Sequence, residues 1–195
     1  MRKIISTLLL LTFIIIIGFT DFASKINIPD FTPSKEAMSN HSSLEEDEAI
    51  IARVIDGDTV IVLNSDGVEE RVRLLLIDTP ESVHPNGKVE LFGPESSEYA
   101  KEYLKQGQKV TLEIGNPQRD KYDRLLAYIW VDGVNFNQHM IEKGFARVAY
   151  VYEPNTKYLN EFLEAQEKAK EEKLNIWSIE GYVTDDGFDM TVTSD

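Results

Sequence analysis

The chain has 195 residues, 42% of them hydrophobic and 28% charged, which is enough for one domain with a real core plus flanking segments. It contains no cysteine, which excludes a disulfide framework, a thiolate nucleophile and a Cys-ligated zinc site. The net charge of −14 argues against a broad polyanion-binding surface, but residues 49–177 carry 16 basic against 22 acidic side chains, so a local basic cleft remains open.

Met1-Arg2-Lys3 is a basic start followed by an apolar run from Ile4 to Phe19. A spanning helix needs about 20 apolar residues, so residues 1–24 read as a secretory signal peptide, or as an N-terminal membrane anchor if uncleaved. Either way the expected location is secreted or extracellular and membrane-anchored, where millimolar calcium is available. No cysteine follows the run, so a lipid-modified N-terminus is excluded. Residues 25–48 hold Pro29, Pro33 and the acidic run Glu45 to Glu48 without a sustained period, and read as a flexible linker.

The folded domain is expected over 49–178. Ile50 to Ile55 and Thr59 to Leu63 are β-rich runs separated by Asp56-Gly57-Asp58, and Asn64 to Gly67 is a hairpin turn. Glu69 to Ile77 reads as the third strand, breaking into the turn Asp78-Thr79-Pro80-Glu81. Pro94 to Gln106 has helical spacing, with Tyr99, Ala100, Tyr103 and Leu104 on one face. Lys109 to Ile114 and Leu125 to Val131 read as strands around a polar loop. Asn135 to Lys143 predicts a short helix, and Lys157 to Lys173 a longer one with Leu159, Phe162, Leu163 and Ala169 on its buried face. Residues 179–195 read as a peripheral acidic tail. Five strands with a helix between the third and fourth predict an α+β fold, a five-stranded OB-type β-barrel with three packed helices, and a monomer. Fold alone does not give function.

Asp56-Gly57-Asp58 is, by itself, better explained as a turn than as a site. Paired with Asp78-Thr79-Pro80-Glu81, it offers carboxylates from two strand ends, and Asp58, Asp78 and the Thr79 carbonyl suit a hard cation. Arg71 and Arg73 are either solvated partners of Glu69 and Glu70 or phosphate ligands. Arg119 to Arg124 is either a solvated loop or a local phosphate subsite built on its three basic residues, Arg119, Lys121 and Arg124, with Tyr122. Tyr150 and Tyr152 alternate as on a strand, serving either the core or base stacking.

These residues carry an ordered resemblance to the staphylococcal nuclease (thermonuclease) family. V-I-D-G-D-T-V at 54–60 is followed by R-L-L-L-I-D-T-P-E at 73–81, H-P at 84–85 and F-G-P-E at 92–95. Then come D-K-Y at 120–122 with Arg124, L-A-Y at 126–128, A-Y-V-Y-E-P-N at 149–155 and K-L-N-I-W-S at 173–178. The resemblance implies a calcium-dependent nuclease cutting DNA and RNA to 3′-phosphates. By that resemblance Asp58, Asp78 and Thr79 hold Ca2+, Asp56 stands behind them, and Glu81 is the general base. Arg73 and Arg124 clamp the phosphate, Lys121 and Tyr122 meet a terminal phosphate, and Tyr150 and Tyr152 meet the nucleotide. One departure stands out: the family usually carries glycine where this chain has Asp123. A non-catalytic nucleic-acid- or partner-binding barrel is the rival reading, although such a module would not need the set Asp58, Arg73, Asp78, Glu81 and Arg124.

Overall fold

The computed structural model describes residues 46–82 and 89–192. All of these belong to the second of two units into which the chain divides, Ser43–Asp195. The signal or anchor expected over 1–24 lies outside the described residues. Among the described residues no helix is long and apolar enough to cross a membrane.

Strands β1 (Glu46–Val54), β2 (Thr59–Leu63) and β3 (Glu69–Leu74) form an antiparallel meander. The other edge of β1 pairs with β5 (Lys109–Arg119), and β5 with β6 (Leu125–Val131), both antiparallel. β6 then closes on β3 in parallel, with Val72 opposite Leu125 and Leu74 opposite Ala127. Closure turns five strands into a barrel with no open edge among them. Its core is built from alternate positions, among them Ile51, Val60, Val62, Val72, Leu74, Leu112 and Ile129, all buried.

Three helices cover the barrel. α1 (Gly93–Tyr103) buries Ala100 and lays Tyr99 and Tyr103 against Phe145 and Phe136, with ring centroids 4.8 and 5.2 Å apart. α2 (Phe136–Glu142) starts on Asn135, whose side chain accepts from the Gln138 N–H, an N-cap. α3 (Leu159–Glu171) buries Phe162, Ala165, Gln166 and Ala169. These stand at i, i+3, i+4 and i+7, one stripe of a 3.6-residue period. Leu163 falls one step off that stripe and is 40% exposed, so its assignment to the buried face is corrected.

Four other expectations change. The acidic run reaches into β1, where Glu46, Asp47 and Glu48 pair by backbone with Glu113, Leu112 and Thr111. Their side chains stay exposed. β5 continues past Gly115 to Arg119 through an irregular register, which shortens the polar loop. The third strand stops at Leu74: Leu76 takes φ +62°, and a separate short strand β4 (Ile77–Asp78) follows, paired with β8 (Arg147–Val148). β7 (Val134–Asn135) adds an edge to β6.

The C-terminal segment is not peripheral. Val183–Thr184 (β9) and Gly187–Phe188 (β10) form a hairpin. Tyr182, just before it, is fully buried, donates its hydroxyl to the Leu91 carbonyl and sets its ring 5.7 Å from Phe92. A few well-placed aromatics dock a segment whose average composition looks solvated.

Candidate active site

The site grows around one guanidinium. Arg73 Nη1 donates to the carbonyls of Leu74 at 2.7 Å and Ile77 at 2.9 Å. Those bonds tie off the turn at Leu76 and bring Asp78 back beside the arginine. Arg73 Nη2 lies 3.0 Å from Asp58 Oδ2 and 3.7 Å from Asp78 Oδ1. The reading of Arg73 as a solvated strand residue therefore falls: it is 8% exposed. Glu69 pairs with Arg53 and Glu70 with Arg119 instead.

Asp58 is held from several sides. Its backbone N–H donates to Asp56 Oδ1 at 3.2 Å, its carbonyl accepts from Leu74 N–H, and its carboxylate accepts from Thr59 Oγ1 at 3.0 Å and Thr79 N–H at 3.3 Å. Thr79 is buried. Gly57 makes this junction: a Cβ there would stand 2.2 Å from Ser96 Oγ and 2.8 Å from Thr79 Oγ1, so only hydrogen fits. Glu81 is clasped through its backbone, donating to Glu90 Oε2 at 2.8 Å while its carbonyl accepts from Glu90 N–H at 3.0 Å. A Cβ on Gly93 would stand 2.3 Å from the Glu81 carbonyl oxygen, so the start of α1 sits directly on this residue.

The cluster carries more negative charge than its two arginines, Arg73 and Arg147, offset. Burial, the Asp58 charge and hydrogen bond, and Glu81 push Asp56 up to about 7. Burial and Asp58 also raise Asp78 against the pull of Arg147 and Arg73. Glu81 is raised by burial, then Asp58, Glu90 and Asp78, with Arg73 opposing. Carboxylates that resist ionising one another gain most when a further cation joins them. Among the described residues, no three His, Asp or Glu side chains form a metal cage by themselves. A cation here would take Asp58, Asp78 and a backbone carbonyl, with water and phosphate oxygens completing a hard-oxygen shell. The donor chemistry fits calcium.

The second group lies on the loop entering β6. Asp120 accepts from the N–H groups of Tyr122 at 2.9 Å and Arg124 at 3.0 Å, and from Arg124 Nε at 2.7 Å. Burial works against ionisation of Asp120, but these bonds outweigh it and hold its carboxyl below the usual range. Arg124 and Lys121 lie 5.5 and 4.9 Å from the Tyr122 ring centroid, a cation–π pair over one exposed aromatic. Since Val72 pairs with Leu125, Arg124 enters the barrel on the strand next to Arg73. Its bonded partners are in its own loop, and the structure shows no contact between it and Glu81. Asp123 adopts φ +62°, the region glycine enters freely and aspartate tolerates. Its carboxylate leans to Arg119, with Oδ1 3.7 Å from Nε.

Tyr150 and Tyr152 are 55% and 69% exposed, which excludes a core role. They do not share a strand face: β8 ends at Val148 and Tyr150 has φ +53°. Arg73 stands 5.1 Å from the Tyr150 ring centroid, while Tyr152 has no such tie to the acidic cluster. Sequence reasoning missed Arg147, whose Nε donates to Asp78 Oδ2 at 3.0 Å. Its only sequence signal is a lone charge inside Phe145-Ala146-Arg147-Val148-Ala149. Glu90, beside the six residues 83–88 that lie outside the described set, was missed as well.

The family model described as staphylococcal nuclease homologue matches residues 71–179. The chain is 48% identical over 146 residues to the SPbeta prophage-derived endonuclease YokF of Bacillus subtilis (strain 168), covering 74% of this chain and 49% of that one. It is 49% identical over 141 residues to endonuclease YncB of the same strain, covering 72% and 66%. With the thermonuclease of Staphylococcus hyicus it shares 38% identity over 178 residues, covering 91% and 99%. The match thus spans about half the length of YokF and nearly all of the thermonuclease.

Proposed function

This chain belongs to the staphylococcal nuclease family, and from that premise we propose that it is an exported, calcium-dependent nuclease hydrolysing DNA and RNA to 3′-phosphate products. The observation that carries the reading is the convergence of Asp58, Arg73 and Asp78 within 3.0 and 3.7 Å ion pairs, with Glu81 three residues beyond Asp78 on the same turn. A binding barrel has no need of such a costly concentration of buried charge.

Asp58, Asp78 and the Thr79 carbonyl would hold the ion. When bound, calcium supplies positive charge beside a non-bridging phosphate oxygen. Arg73, its Nη1 fixed on two carbonyls, presents Nη2 to the phosphate, and Arg124 approaches from the adjoining strand. Glu81 accepts a proton from water as the water oxygen bonds to phosphorus. The P–O5′ bond then breaks, the 5′ oxygen leaves as a hydroxyl after taking a proton from solvent, and the phosphate stays on the 3′ side. Asp56 backs the acidic cluster. Lys121 and Tyr122 suit a terminal phosphate, Tyr150 and Tyr152 a base or sugar face. The apolar run Ile4 to Phe19 supports export or membrane anchorage. The arginine and lysine contacts to phosphate predict binding that weakens as salt displaces them, while salt screening of the repulsion from the acidic surface acts in the opposite sense.

The test is cleavage of single-stranded DNA and of RNA by purified protein with calcium, with chelator, and as Glu81→Gln. Activity with calcium that disappears in the other two conditions supports the reading. Folded, calcium-saturated protein that leaves both polymers intact from pH 7 to 10 ends it in favour of a non-catalytic barrel.

A further inference from the structure

Asp78 is gripped from behind by a residue that the proposed chemistry does not use. One of its carboxylate oxygens, Oδ1, faces Arg73 at 3.7 Å; the other accepts from Arg147 Nε at 3.0 Å. The pair is set by the ladder, since Asp78 and Arg147 are direct partners in the β4–β8 register, and its side chains are 15% and 11% exposed.

Arg147 is in turn held by the C-terminal hairpin. Its Nη1 donates to the carbonyls of Thr184 at 3.4 Å and Asp185 at 3.1 Å, and its guanidinium stands 5.9 Å from the Phe188 ring centroid. Phe188 packs 5.4 Å from buried Tyr182. Tyr182 in turn bonds the carbonyl of Leu91, the neighbour of the residue whose carboxylate accepts from Glu81 N–H. The hairpin therefore holds the side chain that holds the Asp78 carboxylate, and through Phe188 it packs on Tyr182, which is bonded next to Glu90. The family model ends at 179, before the hairpin begins.

We infer that Arg147 is a positioning residue for Asp78, and that the hairpin at 183–188 belongs to the active site by fixing Arg147. With Oδ2 occupied by Arg147, the Asp78 carboxylate cannot rotate, and Oδ1 stays turned toward Asp58 and Arg73. Partners that orient a ligating carboxylate set metal affinity by about 10–100-fold. The inference rests on the calcium-site reading above.

The experiment is calorimetric titration of calcium into the full chain, read beside the metal-free melting temperature and the kcat and KM for single-stranded DNA. Arg147→Met is expected to weaken calcium binding about tenfold or more. Arg147→Lys should recover part of that, because one ammonium can hold the carboxylate but not the two carbonyls as well. Phe188→Ala, which leaves every charge in place, should weaken calcium binding in the same direction by a smaller factor. Ile176→Val, a buried change away from the site, controls for lost stability and keeps wild-type affinity. Wild-type protein that takes up no calcium overturns the nuclease reading and this inference together. Wild-type uptake with Arg147→Met and Phe188→Ala binding as tightly as wild type, or tighter, overturns the inference alone.

Discussion

Arg73 Nη2 lies 3.0 Å from Asp58 Oδ2 while the Nη1 of the same guanidinium holds the carbonyl oxygens of Leu74 and Ile77. One side chain therefore both shapes the turn that delivers Asp78 and Glu81 and presents positive charge to the cluster. Arg73→Ala should lower kcat/KM by roughly 3 kcal/mol or more, a factor of about 10² or greater. Arg73→Lys should recover little, because an ammonium cannot fork to two carbonyls and a carboxylate. Steady-state cleavage of a defined oligonucleotide measures both, and a lysine variant at full activity would remove the argument for geometry.

Asp56 makes metal-free stability depend on pH. Its folded pKa is pushed up to about 7 by burial, by Asp58 and by Glu81, from an ordinary 3.8. Between those values the folded chain keeps a proton that the unfolded chain has released, so stability falls as pH rises through this window. Asp56→Asn should flatten that slope and make the metal-free protein more stable than wild type at pH 8 by roughly 2 kcal/mol. Urea melts at pH 5 and 8 in chelator check it; parallel slopes for the two proteins would contradict it.

Gly57 is required by space. A methyl there meets Ser96 Oγ at 2.2 Å and Thr79 Oγ1 at 2.8 Å, so Gly57→Ala should cost about 1–3 kcal/mol. Adding Ser96→Ala relieves the nearer clash and should return part of that loss, a coupling that a double-mutant cycle by chemical denaturation reports. Strictly additive changes would count against the contact.

Asp123 stands where the family resemblance implies a glycine, and its φ of +62° lies in the region that glycine enters freely. Asp123→Gly should leave stability within about 0.5 kcal/mol and cleavage near wild type, whereas Asp123→Val, β-branched in a left-handed conformation, should cost about 1–2 kcal/mol. A large gain in activity for Asp123→Gly would mean that the carboxylate acts on the phosphate loop instead of leaning to Arg119.

Much of the site was readable from short spans. Asp56-Gly57-Asp58 and Asp78-Thr79-Pro80-Glu81 are turns between apolar runs, and a turn's chemistry is local. The strands and helices followed from period, and the errors fall where another force decides. Leu76 is an apolar residue in what reads as a continuous strand, yet the bonds of Arg73 to Leu74 and Ile77 turn the chain there. Tyr150 reads as a strand residue by alternation, yet it turns out of β8 with a positive φ.

By itself the sequence marked Asp56, Asp58, Arg73, Asp78 and Glu81 as candidates for one cluster, because family motifs and strand-ending turns are spelled within a few consecutive residues, but it did not mark Arg147 or Glu90. Only the tertiary structure decided what holds them. Asp78 and Arg147 are 69 positions apart and Tyr182 and Leu91 are 91 apart. Barrel closure and the docking of a few buried aromatics create those pairings, and neither leaves a period in the chain.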